Sequence, residues 1–279
     1  MTRTHCALPV RAAAALAACA LALTGCSVVA RHAGGPPPAA PLPAAPANIA
    51  PPADISAVPD ATPRAEARSA HGNPPFYDAL GQRYYVMPSA DGYLERGVAS
   101  WYGPSFHGGN TSSGELYDMY GMTAAHKTLP LPTYARVTNL RNGKSVIVRI
   151  NDRGPFVANR LIDLSYTAAA KLDMIQGGTA LVEVRALTPG VPDELTRSTE
   201  VPTPALYVQA GAYADPQNAQ RTLARLQAAG LSDASVVSPP EGSRLYRVRL
   251  GPVHSVAQFD ELATRLAALG FPDARLASE

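Results

Sequence analysis

Cysteine is nearly missing from this chain: three in 279 residues, at positions 6, 19 and 26. A disulfide framework is therefore excluded for everything beyond residue 26. Charge is sparse as well, at 16% of residues, with 24 Lys+Arg against 22 Asp+Glu. That balance carries no electrostatic footprint for nucleic acid or an anionic surface. Neutral, polar partners such as sugars suit it better. The six histidines (5, 32, 71, 107, 126 and 254) are scattered, without the paired spacing of a zinc site. No glycine-rich loop carries the Lys-Ser/Thr of a phosphate cradle. No metal or cofactor is expected.

No apolar run is long enough to span a bilayer. The Ala/Leu-rich stretch Ala12 to Leu23, preceded by Arg3 and Arg11, reads instead as a secretory leader. It ends in Leu23-Thr24-Gly25-Cys26, the pattern of a bacterial lipoprotein acylated on cysteine. Cys26 would then be the new N-terminus and carry the lipid. Ser27 follows, where an aspartate would suggest inner-membrane retention, so the periplasmic face of the outer membrane is expected. Several acyl chains anchor far more firmly than one. Without Arg3 and Arg11 the two signs balance, 22 against 22.

Residues 27 to 75 contain 12 prolines and many alanines. This composition favours an extended, disordered tether over 26–75. At about 3.1 Å per residue it would reach on the order of 100 Å. Residues 76 to 93 are richer in aromatics and are expected to pack on the first domain as an N-terminal strand.

The stretch VIVRINDRGP, residues 146–155, is the most informative for chemistry. Val146, Val148 and Ile150 alternate with polar residues, as in a strand with one buried face, and Gly154-Pro155 forces a turn. Asp152, held where a rigid strand meets a tight turn, is well placed for acid/base work. The same position also suits an aspartate that only bonds its own backbone.

Around it stand Gly97-Val98-Ala99-Ser100-Trp101-Tyr102-Gly103, Phe106-His107-Gly108 and Thr111-Ser112-Ser113-Gly114-Glu115. Thr123-Ala124-Ala125-His126-Lys127-Thr128-Leu129-Pro130 and Arg136-Val137-Thr138-Asn139-Leu140 follow. In this order and spacing, residues 94 to 187 strongly resemble the rare lipoprotein A (RlpA) family of septal lytic transglycosylases. The resemblance implies a six-stranded double-psi β-barrel, a fold shared with expansins. It also implies cleavage of peptide-free peptidoglycan glycan strands between MurNAc and GlcNAc, leaving 1,6-anhydro-MurNAc ends at the division septum. Catalytic roles carry over to Asp152, Glu115 and His126.

In such a reaction the substrate's own C6 hydroxyl attacks C1, so one carboxyl can act first as acid and then as base. Asp152 is assigned that part. Glu115 would stabilise developing positive charge or position the sugar. Two carboxyls in one apolar-walled groove would push their pKa values apart. Trp101, Tyr102 and Tyr117 offer flat faces for sugar stacking, or core packing beside the barrel. Arg153 and Arg160 would bind a sugar substituent or pair with Asp163, itself a structural residue near a helix start.

Arg136–Leu140, Ser145–Ile150, Arg160–Leu164 and Ala180–Ala186 read as strands of this domain, 76–187. Asn142-Gly143 forms a hairpin turn, and Ser165 caps a helix over Tyr166–Leu172. A linker with four prolines, 188–203 and Pro204, leads to a second domain, 204–279. There Leu206–Gly211, Ala234–Val237, Arg244–Leu250 and Ala274–Ala277 read as strands. Asp215-Pro216 and Ser255 start two amphipathic helices. This βαββαβ order predicts a ferredoxin-like sheet with both helices on one face. The strings Tyr207-Val208-Gln209-Ala210-Gly211-Ala212-Tyr213 and Tyr246-Arg247-Val248-Arg249-Leu250-Gly251-Pro252 resemble a SPOR domain. SPOR domains bind denuded glycan strands, which points to Gln209 and Tyr213 as contact residues. Other division-site proteins are further candidate partners. Two rival activities stay open beside the transglycosylase: an expansin-like binder that does not cut, and a hydrolase whose carboxyls are roughly 6.5–9.5 Å apart.

Overall fold

The computed structural model describes residues 52–191, 205–240 and 242–278. The expected leader, the expected lipidation site Cys26 and the part of the expected tether up to residue 51 lie outside the described residues. So does most of the linker.

A two-stranded hairpin, β1 (Phe76–Ala79) and β2 (Gln82–Tyr85), precedes the barrel. It forms its own small sheet rather than the single strand expected of 76–93. Tyr77 stacks on Tyr84 at 5.4 Å, and both rings meet Phe156 beyond the last residue of β6.

The barrel uses β3 (Leu94–Trp101), β4 (Thr123–His126), β5 (Thr133–Asn139), β6 (Ser145–Asp152), β7 (Ile162–Leu164) and β8 (Ala180–Ala186). They close in the order β3-β7-β4-β6-β5-β8. The β3–β7 and β4–β6 pairs are parallel, and the other four are antiparallel. This is the six-stranded double-psi barrel. The alternation of β6 does what its pattern predicts: Val146, Val148 and Ile150 are fully buried in the core with Val137, Leu164 and Val184. Helix α1 (Tyr166–Lys171) closes on that core through Ala168 and Ala169, and the Ser165 hydroxyl accepts from the Ala168 amide to cap it.

Residues 54 to 73 depart from the tether expectation. They form a strap bound to the barrel. Val58 and Ala61 pack on its core. Asp60 accepts from the Ile147 amide at 2.9 Å and pairs with Lys171. Asn73 exchanges both bonds of its amide with the backbone of Leu131, at 2.7 and 2.8 Å. Composition averages over a segment. A few apolar contacts and well-placed carboxylates are enough to order a proline-rich stretch once the barrel supplies partners.

The second domain consists of β9 (Leu206–Tyr213), α2 (Pro216–Ala228), β10 (Ala234–Val237), β11 (Tyr246–Leu250), α3 (Val256–Ala268) and β12 (Arg275–Ser278). Its antiparallel sheet runs β10-β11-β9-β12, the order expected of a ferredoxin-like βαββαβ unit. Both caps form as predicted: Asp215 accepts from the Gln217 amide and Ser255 from that of Gln258. Leu226, Phe259 and Leu266 cover the sheet residues Val208, Val248 and Leu250. Val98, Leu140 and Leu181 of the barrel join this cluster. Arg160 meets Asp260 with two bonds, 2.9 and 3.1 Å, so it does not pair with Asp163.

Candidate active site at the end of strand β6

The parallel β4–β6 register breaks where the strand exits the barrel. Ala124 opposes Ile150, but Ala125 opposes Asp152. Asn151 is the extra residue, a bulge that re-aims the side chains beside it. Gly154 follows with φ +136, a conformation that suits glycine. Together they turn the chain sharply just past Asp152.

Loop residues 111 to 115 grip that aspartate. Asp152 Oδ1 accepts from the Ser112 amide at 2.8 Å, the Ser112 hydroxyl at 2.7 Å and the Arg153 amide at 2.7 Å. Three donors fill the lone-pair capacity of this oxygen. Oδ2 accepts only from the Tyr102 hydroxyl, at 3.3 Å. Oδ2 is thus the less engaged of the two oxygens. Burial first, and the Asp152 charge second, push the Tyr102 phenol up, so it stays a neutral donor.

The same loop carries Glu115. It is tied back by bonds from the Thr111 amide to the Glu115 carbonyl and from the Ser113 amide to the Asn151 carbonyl. Gly114, at φ +90, makes the turn. The Glu115 carboxylate accepts from Arg149 Nη1 at 2.7 and 2.9 Å and from the Asn151 side-chain amide at 2.7 Å. Burial pushes its carboxyl up, but the Arg149 and Asn151 hydrogen bonds and the Arg149 charge outweigh it. Glu115 therefore sits below the usual carboxylate range. Its side chain is 42% exposed. An apolar-walled groove was expected to tune this carboxyl; Arg149 and Asn151 tune it instead.

His126 differs from its expected catalytic role. It is buried, and its Nδ1 accepts from the amides of Thr128 and Leu129. The proton then sits on Nε2, which donates to the Tyr93 oxygen at 2.8 Å, while Tyr93 donates to Glu95. Burial, then the charges of Arg153 and Lys127, push the imidazole down to about 3. His126 is a neutral brace of the β4 end, with no hydrogen bond to Asp152 or Glu115.

Arg153 also departs from expectation as a sugar ligand. Its guanidinium is buried, donating to the carbonyls of Gly72, His126 and Leu129 and to Asn73. It serves the site only through its backbone amide. Tyr117 is 5% exposed and supports Tyr102 at 4.8 Å between ring centres, so it has no free stacking face. Trp101 lies half-buried on the barrel core, edge-on to Tyr166. Tyr102 alone of the three touches Asp152. In the second domain Gln209 is buried, and the register shift between Val248 and Arg249 turns Tyr213 toward the helices, where its hydroxyl accepts from Thr222. That shift was not legible from simple alternation.

Several residues of the site carried no signal of their own: Ser112, Arg149, Asn151 and Phe106. All four lie inside motif segments, but nothing there marks Ser112, Arg149 or Asn151 as a ligand of a carboxylate or Phe106 as part of the rim. Phe106 is 52% exposed beside Tyr102, with ring centres 5.9 Å apart. Among the described residues no group of three or more His, Cys, Asp or Glu is placed to hold a metal.

The fold and site define a carbohydrate-active double-psi barrel joined to a SPOR-type module. Residues 94–184 match the lytic transglycolase family model, and residues 202–276 match that of the SPOR domain. The chain is 38% identical to an endolytic peptidoglycan transglycosylase RlpA of Pseudomonas aeruginosa, covering 78% of this chain and 81% of that one. It is 40% identical to the protein of that name in Vibrio cholerae, over 80% and 83% of the two chains. With that of Neisseria meningitidis it shares 43% identity, over 70% and 80%. The chain belongs to the RlpA family.

Proposed function

We propose that the protein is a lytic transglycosylase that cuts peptide-free peptidoglycan glycan strands between MurNAc and GlcNAc. The observation that carries this reading is the Asp152 carboxyl, with Oδ1 saturated and Oδ2 bonded only by Tyr102, at a bulged strand end held by the Glu115 loop.

Protonated Oδ2 gives its proton to the glycosidic oxygen as the C1–O bond breaks, and C1 becomes oxocarbenium-like. The Asp152 carboxylate then removes the proton of the C6 hydroxyl, whose oxygen closes on C1. The anhydro ring forms without water, and Asp152 ends protonated as it began. The sugar supplies its own nucleophile, so proximity replaces a second reactant. Glu115, kept ionised by Arg149, offers a fixed acceptor to sugar hydroxyls and a negative charge near the developing cation. Tyr102 orients Oδ2, and Phe106 presents an apolar face at the rim.

The SPOR domain brings the enzyme to denuded glycans. The hollow on its open sheet face, about 380 Å³ and lined by Tyr207, Ser235, Arg247 and Arg249, is the contact surface in this reading. Action at the septum follows from where such strands accumulate. A lipid on Cys26 would hold the protein to the periplasmic face of the outer membrane, beside other division proteins.

The test is digestion of peptide-free glycan strands by the purified protein, with products read by mass spectrometry. Anhydro ends are expected. Reducing ends would mean hydrolysis, and intact strands a binder. Asp152→Asn should abolish cutting at unchanged Tm. A variant that cuts as fast as wild type removes Asp152 from the mechanism.

A further inference from the structure

Arg149 stands between two carboxylates. Nη1 holds both oxygens of Glu115. Nη2 and Nε hold Glu66 of the strap, at 2.8 and 3.2 Å. Glu66 is itself fixed from two further sides, by the Tyr134 hydroxyl and by Arg64 Nε at 2.9 Å. Arg149 hydrogen bonds, opposed by burial and aided by those from Tyr134 and Arg64, bring its carboxyl down to about 2. The strap is thus locked to the guanidinium that locks Glu115.

We propose that Glu66 is a positioning residue for the cleavage reaction, acting through Arg149 on Glu115. Glu115 in turn holds Asn151, the bulged residue next to Asp152. A guanidinium is planar, and its donors form a rigid fork. Filled on both edges, it has one orientation. With the Glu66 edge empty, Arg149 rotates about its terminal bonds and Glu115 moves with it. Glu66 lies 83 residues from Arg149 in sequence, inside the segment whose composition reads as tether. This inference rests on the reading of Asp152 as the acid/base and Glu115 as the fixed carboxylate beside it.

The full chain is compared with Glu66→Ala, Glu66→Gln, Asp60→Asn and Asp152→Asn, for anhydro-end formation on peptide-free glycans and for Tm. Glu66→Ala should lower kcat about tenfold, as expected for one lost charge-assisted restraint, with KM within about twofold. Glu66→Gln still accepts one Arg149 bond and should recover most of that loss. Asp60→Asn disturbs the same strap away from Arg149, and should lower Tm while leaving kcat unchanged. Wild-type kcat in Glu66→Ala overturns the proposal. So does a loss of activity in Glu66→Ala and Asp60→Asn that simply tracks their loss of Tm. An inert Asp152→Asn beside an unaffected Glu66→Ala refutes the role of Glu66 alone. An active Asp152→Asn refutes the site reading and this inference together.

Discussion

Ser112→Ala is the sharpest probe of how the acid is held. The substitution deletes one hydroxyl donor, 2.7 Å from Asp152 Oδ1, and leaves the Ser112 and Arg153 amides in place at 2.8 and 2.7 Å. It strands no donor. The Arg153 amide, which also reaches the Ser112 hydroxyl at 3.2 Å, keeps its shorter bond to Asp152. A hydrogen bond to a charged group contributes about 1.5–3 kcal/mol. Two donors remain and the carboxyl is only half-buried, so the lower end applies, about 1.5 kcal/mol. The lost bond fixes which oxygen faces the substrate, so the effect should fall on kcat, roughly tenfold, with KM little changed. The assay is initial-rate release of anhydro-ended fragments from peptide-free glycan, with thermal unfolding measured alongside. Unchanged kcat would refute the argument that the Ser112 hydroxyl fixes which carboxyl oxygen faces the substrate. A fall in kcat matched by a large fall in Tm would show that the loop had simply come apart.

Two further outcomes follow from neighbouring contacts. Tyr102→Phe removes only the 3.3 Å bond to Oδ2 and keeps the ring packing, so kcat should change by less than about threefold; a larger loss would make the phenol a proton donor in its own right. His126 is neutral when folded, pushed down to about 3, and titrates near 6.5 when unfolded. Its contribution is therefore complete above pH 6.5 and is lost as pH falls toward 3. His126→Asn retains an acceptor for the Thr128 and Leu129 amides. Its stability deficit against wild type should shrink between pH 6.5 and 4 in denaturant titrations; a deficit independent of pH would contradict the buried, neutral assignment.

The frame of both domains was legible in the chain. Val146, Val148 and Ile150 announced β6, and the caps Ser165, Asp215 and Ser255 announced their helices, because these signals are local. Strands β3 and β4 came only with the family motifs, since they bury consecutive residues, Gly97 to Ala99 and Ala124 to His126, and so show no alternating pattern. Asp152 and Glu115 could be named from their motifs. Their holders could not: Arg149 reaches Glu115 across 34 residues and Glu66 across 83. The inward turn of Arg153 and the burial of His126 depend on strap carbonyls and neighbours distant in sequence. A one-residue register shift in β9 reversed Tyr213, and no periodicity count shows such a shift in advance.

The strap has a practical consequence for dissecting this protein. A fragment excised at the family-model limits, residues 94–184, would leave Arg149 and Arg153 facing solvent where Glu66, Gly72 and Asn73 had been. A fragment that keeps these partners, and the Asp60 contacts to Ile147 and Lys171, has to begin before Asp60. A protease cut that leaves the site intact is expected to fall on the N-terminal side of that point.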